Sequence, residues 1–102
     1  MAIAKQFSKS KPVCKVTFSV PADSVAEAKA VAVLGDFNEW NATALPLKKQ
    51  KDGSFKGSVE LEAGKEFQFR YLVDNNLWIN DEAADKFVSA GIAAEENGVV
   101  VL

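Results

Sequence analysis

Apolar and polar side chains alternate with a two-residue period through much of this chain. From Val13 to Val20, Cys14, Val16, Phe18 and Val20 fall on one side and Lys15, Thr17 and Ser19 on the other. That is the pattern of a strand with one face in a core and one in water. Pro21 ends it. Ser54–Glu62 repeats the pattern, with Phe55, Gly57, Val59 and Leu61 set against Lys56, Ser58, Glu60 and Glu62. Glu66–Val73 does so again, with Phe67, Phe69, Tyr71 and Val73 inward and Gln68, Arg70 and Leu72 outward. Shorter apolar runs predict further strands at Ala30–Leu34, Leu77–Ile79 and Val99–Leu102. Leu45–Lys49 is expected as an edge strand, because only an edge tolerates Pro46.

Turn residues separate these runs. Asp52-Gly53 predicts a two-residue hairpin, and Asp74-Asn75-Asn76 a turn that uses the tolerance of Asp and Asn for positive φ. Asp23–Lys29 reads as a loop, as does Phe37–Trp40, and residues 80 to 96 show no regular period. An irregular stretch of that length in so small a domain is expected to be functional or mobile. Residues 1–11 read as a flexible leader, and 12–102 as one domain. Short strands with turns between them, and no helical period, predict an all-β antiparallel sandwich of immunoglobulin-like kind.

Length and composition narrow the function. With 102 residues the chain has room for one core and little room for an enclosed pocket, so its function is expected on the surface. Twelve basic and fourteen acidic residues are interspersed, for a net charge of −2, with no basic stripe to follow a phosphate backbone. Nucleic acid is therefore not an expected partner. Lys48, Lys49 and Lys51 beside Asp52 read as a solvated hairpin. The chain has no histidine, which removes the commonest general base and metal ligand. Its single cysteine, Cys14, lies on an inward position and reads as a small core hydrophobe. Glu60 and Glu62 share the predicted solvent face of one strand, an arrangement that does not place two carboxyls across a substrate. No phosphate loop or nucleophile–base pair is present, so no cofactor, metal or enzymatic activity is expected. No apolar segment has the length of a secretory signal or a membrane span, and the expected location is the cytoplasm. On that reading the acceptor pattern Asn41-Ala42-Thr43 is accidental.

The two tryptophans remain. Most of the seven phenylalanines fall on inward positions, but Trp40 follows the polar loop Asp36-Phe37-Asn38-Glu39 and Trp78 follows Asn75-Asn76-Leu77 at a turn. One such tryptophan is adequately explained as a lid on the core. Two of them, each near asparagine, suit another task. A pyranose has apolar C–H faces and a hydroxyl rim, so an indole can cover the face while amides or a guanidinium bind the rim. Arg70 projects outward from the strand that leads to Trp78, and its fork can meet two vicinal hydroxyls.

Val31-Ala32-Val33-Leu34-Gly35-Asp36-Phe37-Asn38-Glu39-Trp40 resembles the opening motif V-x-L-x-G-x-F-N-x-W of family-48 carbohydrate-binding modules, with Val33 where the motif has leucine. The family includes the glycogen-binding domain of the AMP-activated protein kinase β subunit and the N-terminal domains of isoamylases and branching enzymes. Phe67–Asp74 is similar to its Y-x-Y-K-F-x-V-D strand, and Glu96-Asn97-Gly98-Val99-Val100 to its closing x-N-S-V-V. The resemblance implies an early-set sandwich that binds α-1,4-linked glucan such as glycogen, starch or maltooligosaccharide. It implies that Trp40 and Trp78 stack on glucose units, that Arg70 stands where the binding lysine usually is, and that Asn97 binds hydroxyls. It also implies that Ile92 pushes into the curve of the glucan. Some members of the family serve mainly as structural spacers. The alternative expectation is a protein-interaction or regulatory-subunit module of the same fold, with a separate glycan-active enzyme or kinase-type partner and little sugar binding.

Overall fold

The computed structural model describes residues 2–25, 28–41, 44–89 and 96–102. Among the described residues, nine strands form two antiparallel sheets: β1 (Ala2–Phe7), β2 (Val13–Val20), β3 (Val31–Gly35), β4 (Lys48–Lys49), β5 (Phe55–Glu62), β6 (Glu66–Val73), β7 (Leu77–Ile79), β8 (Lys86–Ser89) and β9 (Glu96–Val101). One sheet runs β1-β2-β5-β4, the other β3-β6-β9-β8, and β7 also pairs with β6. The two-residue period of β2, β5 and β6 places one side chain in two between the sheets. Val16, Phe18, Val20, Phe55, Val31, Val33, Phe69, Tyr71 and Val100 are all essentially inaccessible to water there. Phe18 is central, its ring 5.2 Å from that of Phe69 and 6.2 Å from that of Tyr71. Removing each of these rings from water supplies roughly 1.5–3 kcal/mol.

Several expectations are corrected. The segment expected as part of a flexible leader is instead β1, paired over Ala2–Phe7 with Ser19–Cys14 of β2. Ile3 packs against the core from this edge, and Lys5 reaches across to Asp85 at 2.7 Å, which ties the two sheets together. Residues 80 to 96 are not wholly irregular, because Lys86–Ser89 pairs with β9 as an outer strand. The Leu45–Lys49 strand shrinks to Lys48–Lys49. Before it, the Val33 N–H donates to the Leu45 carbonyl and the Leu47 N–H to the Val31 carbonyl, so this segment crosses from one sheet to the other at Pro46. Leu72 points outward as expected, yet it is buried: in register it lies between Ala32 of β3 and Trp78 of β7.

The turns follow the residues that make them. Asp74 and Asn75 have φ of 50° and 60°, and the Asn76 N–H closes the turn on the Val73 carbonyl. The hairpin at Asp52-Gly53 is one residue longer than expected. Gln50 and Ser54 form its closing pair, and Gly53 takes the left-handed position at φ 88°.

Candidate functional site

The site depends on how β6 is shared. On one side β3 pairs with Phe69–Val73 of β6. On the other, β9 pairs with Glu66–Phe69 and β7 with Tyr71–Val73. Arg70 therefore sits where β9 gives way to β7, on the outer face of the sheet. Asn97 arrives from the start of β9, Trp78 from the middle of β7, and Trp40 from the loop that follows β3.

That loop is tightly built. The Asn38 side chain accepts from the Gly35 N–H at 3.0 Å and donates to the Val33 carbonyl at 3.0 Å, which folds Asp36–Asn38 into a short 3₁₀ turn. Glu39 and Trp40 then take left-handed backbone conformations, φ 57° and 58°. Such strain in non-glycine residues persists where the surroundings fix it, and functional sites are where it concentrates. Here the Trp40 N–H donates to the Gly35 carbonyl at 3.0 Å, and the indole Nε1–H donates to Asp36 Oδ1 at 3.1 Å. Gly35 itself admits no side chain. A Cβ there would lie 2.4 Å from the Gln68 carbonyl oxygen and 2.7 Å from the Phe37 ring. The loop is thus held hard against β6, which brings Trp40 over the sheet face.

Four of the five candidate residues meet. Trp40, Arg70, Trp78 and Asn97 line one shallow open depression of about 260 Å³. The two indole rings stand 6.5 Å apart, inclined at 56° to one another. Trp78 is 45% exposed, Trp40 is half-buried, and the buried Leu34 and Leu72 lie on the same sheet face. Arg70 Nε donates to Asn97 Oδ1, and Asn97 Nδ2 donates to Gln68 Oε1 at 3.0 Å. One amide hydrogen and one acceptor position of Asn97 remain after these bonds. Ile92, the fifth candidate, lies outside the described residues, as do Ala42 and Thr43 of the acceptor pattern.

Elsewhere the surface differs in kind. A larger depression of about 450 Å³ lies at the β1–β2 hairpin, lined by Gln6, Ser8, Ser10, Lys11, Lys15 and Glu60 among others, with Phe7 as its sole aromatic ring. It offers no pair of planar surfaces. Among the described residues, no group of three or more histidine, cysteine, aspartate or glutamate side chains is placed to hold a metal ion.

Three polar residues of structural weight were not singled out from the sequence. Asp36 and Gln68 bond to the site residues themselves. Asp81 is fully buried and accepts from the Tyr71 hydroxyl at 2.6 Å and from the Ala83 N–H at 2.8 Å. Burial, and after it Asp81, pushes the Tyr71 hydroxyl well above the ordinary tyrosine value of 10.0. A tyrosine on an inward strand position signals that some polar partner must exist, since a buried hydroxyl seeks one. It does not say which residue.

An open patch with two tilted indoles, a guanidinium and an amide, on the outer face of a β-sandwich, defines a surface recognition module. The comparison with known families is specific about which. Residues 24–95 match the model of the glycogen recognition site of AMP-activated protein kinase, and the chain belongs to that family. It is also 37% identical over 79 residues to the cruciform DNA-recognizing protein 1 of Saccharomyces cerevisiae strains RM11-1a, JAY291 and S288c. The match covers 74% of this chain but only 16% of each yeast protein, so the chain spans a small part of those relatives.

Proposed function

We propose that this domain binds α-1,4-linked glucan, as glycogen, starch or maltooligosaccharide, without catalysing a reaction on it. The observation that carries the reading is the pair of indole rings, 6.5 Å apart and inclined at 56°, beside Arg70 and Asn97. Two inclined platforms suit consecutive sugar rings of a chain that curves, and the guanidinium and amide stand where hydroxyl rims would lie. Membership of a glycogen-recognition family supports the same ligand class. Tryptophan fluorescence tests it. Maltoheptaose titrated into the domain is expected to perturb the emission saturably, while cellohexaose, whose chain is straight, is expected to do so much less. No response to maltoheptaose at millimolar concentration contradicts the proposal.

The name of the yeast relatives raises DNA as an alternative ligand. The patch does not favour it, because Arg70 is the cation lining the depression and DNA affinity rests on several neutralised phosphates. Lys48 and Lys49 belong to the other sheet, where lysines on an edge strand discourage pairing with foreign strands. A protein-interaction role has its own support in β1, a six-residue outer strand whose side chains are mostly exposed. A stoichiometric protein partner retained by Trp40→Ala and Trp78→Ala domains would favour that role.

A further inference from the structure

The candidate ligand-binding side chains are not independently placed. Asp36 uses both carboxylate oxygens within the fold: Oδ1 accepts from Trp40 Nε1–H at 3.1 Å, and Oδ2 accepts from the Gln68 backbone N–H at 3.0 Å. The Gln68 side chain in turn accepts from Asn97 Nδ2 at 3.0 Å, and Asn97 Oδ1 accepts from Arg70 Nε. A continuous hydrogen-bonded path therefore runs Trp40–Asp36–Gln68–Asn97–Arg70, across the loop after β3, β6 and β9. Asp36 and Gln68 do not line the depression. Each bonds to a residue that does.

We infer that Asp36 and Gln68 are positioning residues that fix the Trp40 indole and the Asn97 amide in their binding orientation before ligand arrives. The indole is otherwise free to turn about two side-chain torsions at a loop, and an amide can present either its donor or its acceptor end. Asp36 settles the first, since one edge of the indole carries the N–H and only one orientation aims it at Oδ1. Arg70 and Gln68 settle the second together: the guanidinium can only donate, so Asn97 Oδ1 faces it, and Gln68 Oε1 takes the Asn97 N–H on the other side and holds the amide there. Prior ordering of this kind raises affinity by removing rotamer freedom that binding would otherwise have to restrict. It also commits the Trp40 N–H to the protein, so that this ring meets ligand through its face alone.

The affinity consequence rests on the glucan reading, whereas the ordering itself can be measured without ligand. The experiment uses the ¹⁵N-labelled domain and four variants: Asp36→Ala, Asp36→Asn, Gln68→Ala and Gln68→Glu. Dispersed backbone amide spectra establish folding. In Asp36→Ala the Trp40 indole N–H resonance is expected to shift and to exchange with water at least about tenfold faster, while the backbone amides of β2 and β5, on the other sheet, serve as the unperturbed control. Asp36→Asn keeps one acceptor where the carboxylate had two, and is expected to fall between. In Gln68→Ala the Asn97 side-chain amide pair is expected to shift, and Gln68→Glu, which keeps the acceptor, is expected to restore it. With maltoheptaose, the two alanine variants are expected to bind about tenfold more weakly and Gln68→Glu within about threefold of the parent. Indole and amide resonances unchanged in folded alanine variants would overturn the inference. So would weakened binding that Gln68→Glu failed to rescue. If the parent domain bound no maltoheptaose, the glucan reading would fall while the resonances still decided the positioning.

Discussion

Two aromatic residues show why chain position alone misjudges a side chain's task. Phe69 and Trp78 both belong to the β3-β6-β9-β8 sheet and its β7 annex, yet they project from opposite faces. Phe69 is wholly buried against Phe18 and Tyr71, and Phe69→Ala is expected to cost about 3–5 kcal/mol of stability, measured by denaturant unfolding. Trp78→Ala removes a half-exposed ring and is expected to cost far less stability, while maltoheptaose affinity falls by about tenfold or more. The reverse order would mean that Trp78 serves as a cover for Leu72 and not as a platform. Tyr71 makes a second prediction. Its hydroxyl donates to the buried Asp81, and the folded state holds its pKa above the ordinary 10.0. A raised folded-state pKa contributes stability that is fully present below the unfolded value and is lost as pH climbs past it. Because Tyr71 is the only tyrosine, tyrosinate absorbance near 295 nm reports it alone. That absorbance is expected to appear together with loss of the folded circular dichroism, above about pH 10, and not before it.

At the scale of elements, β1 carries the clearest consequence. Its pairing with β2, the packing of Ile3 and the Lys5–Asp85 link all disappear if the chain begins at Lys11. Such a truncation is expected to lower stability by roughly 2–4 kcal/mol and to expose β2 as a new unprotected edge prone to self-association. Equilibrium unfolding and concentration-dependent light scattering check both effects, and unchanged stability would show that β1 only decorates the sheet. The reason β1 was not legible in the sequence is physical. Ala2–Phe7 is an outer strand with one neighbour, its side chains are mostly exposed, and Lys5 interrupts the apolar series Ile3 and Phe7 on the inward side. β8 was hidden for the same cause, with Phe87 42% exposed at the rim of its sheet. The central strands β2, β5 and β6 were legible because burial on one face imposes a strict period. The sheet crossing at Pro46 was not, since it depends on contacts with β3 that no local pattern records.

For the molecule as a whole, the outer face of one sheet of the sandwich holds side chains from β3's following loop, β6, β7 and β9 in one patch. Trp40, Arg70, Trp78 and Asn97 could be picked out as candidates from residue type and from a family motif. Their supports, Asp36 and Gln68, could not, because the bonds they make span as many as 32 residues and exist only once the strands are paired. The division of surfaces is equally global. The β1-β2-β5-β4 sheet turns Lys15, Thr17, Lys56, Ser58 and Glu60 to solvent, whereas the opposite sheet sets Leu34, Leu72 and the two indoles around Arg70. The central claim is that glucan lies on this second face. Titrating maltoheptaose into the ¹⁵N-labelled domain and mapping the amide, indole and guanidinium shifts tests it most directly. The account predicts that the saturable changes centre on Trp40, Arg70, Trp78 and Asn97 and leave β1, β2 and β5 undisturbed. Changes centred on the β1–β2 hairpin or the Lys48–Lys56 hairpin, with both indole N–H signals unmoved, would contradict it.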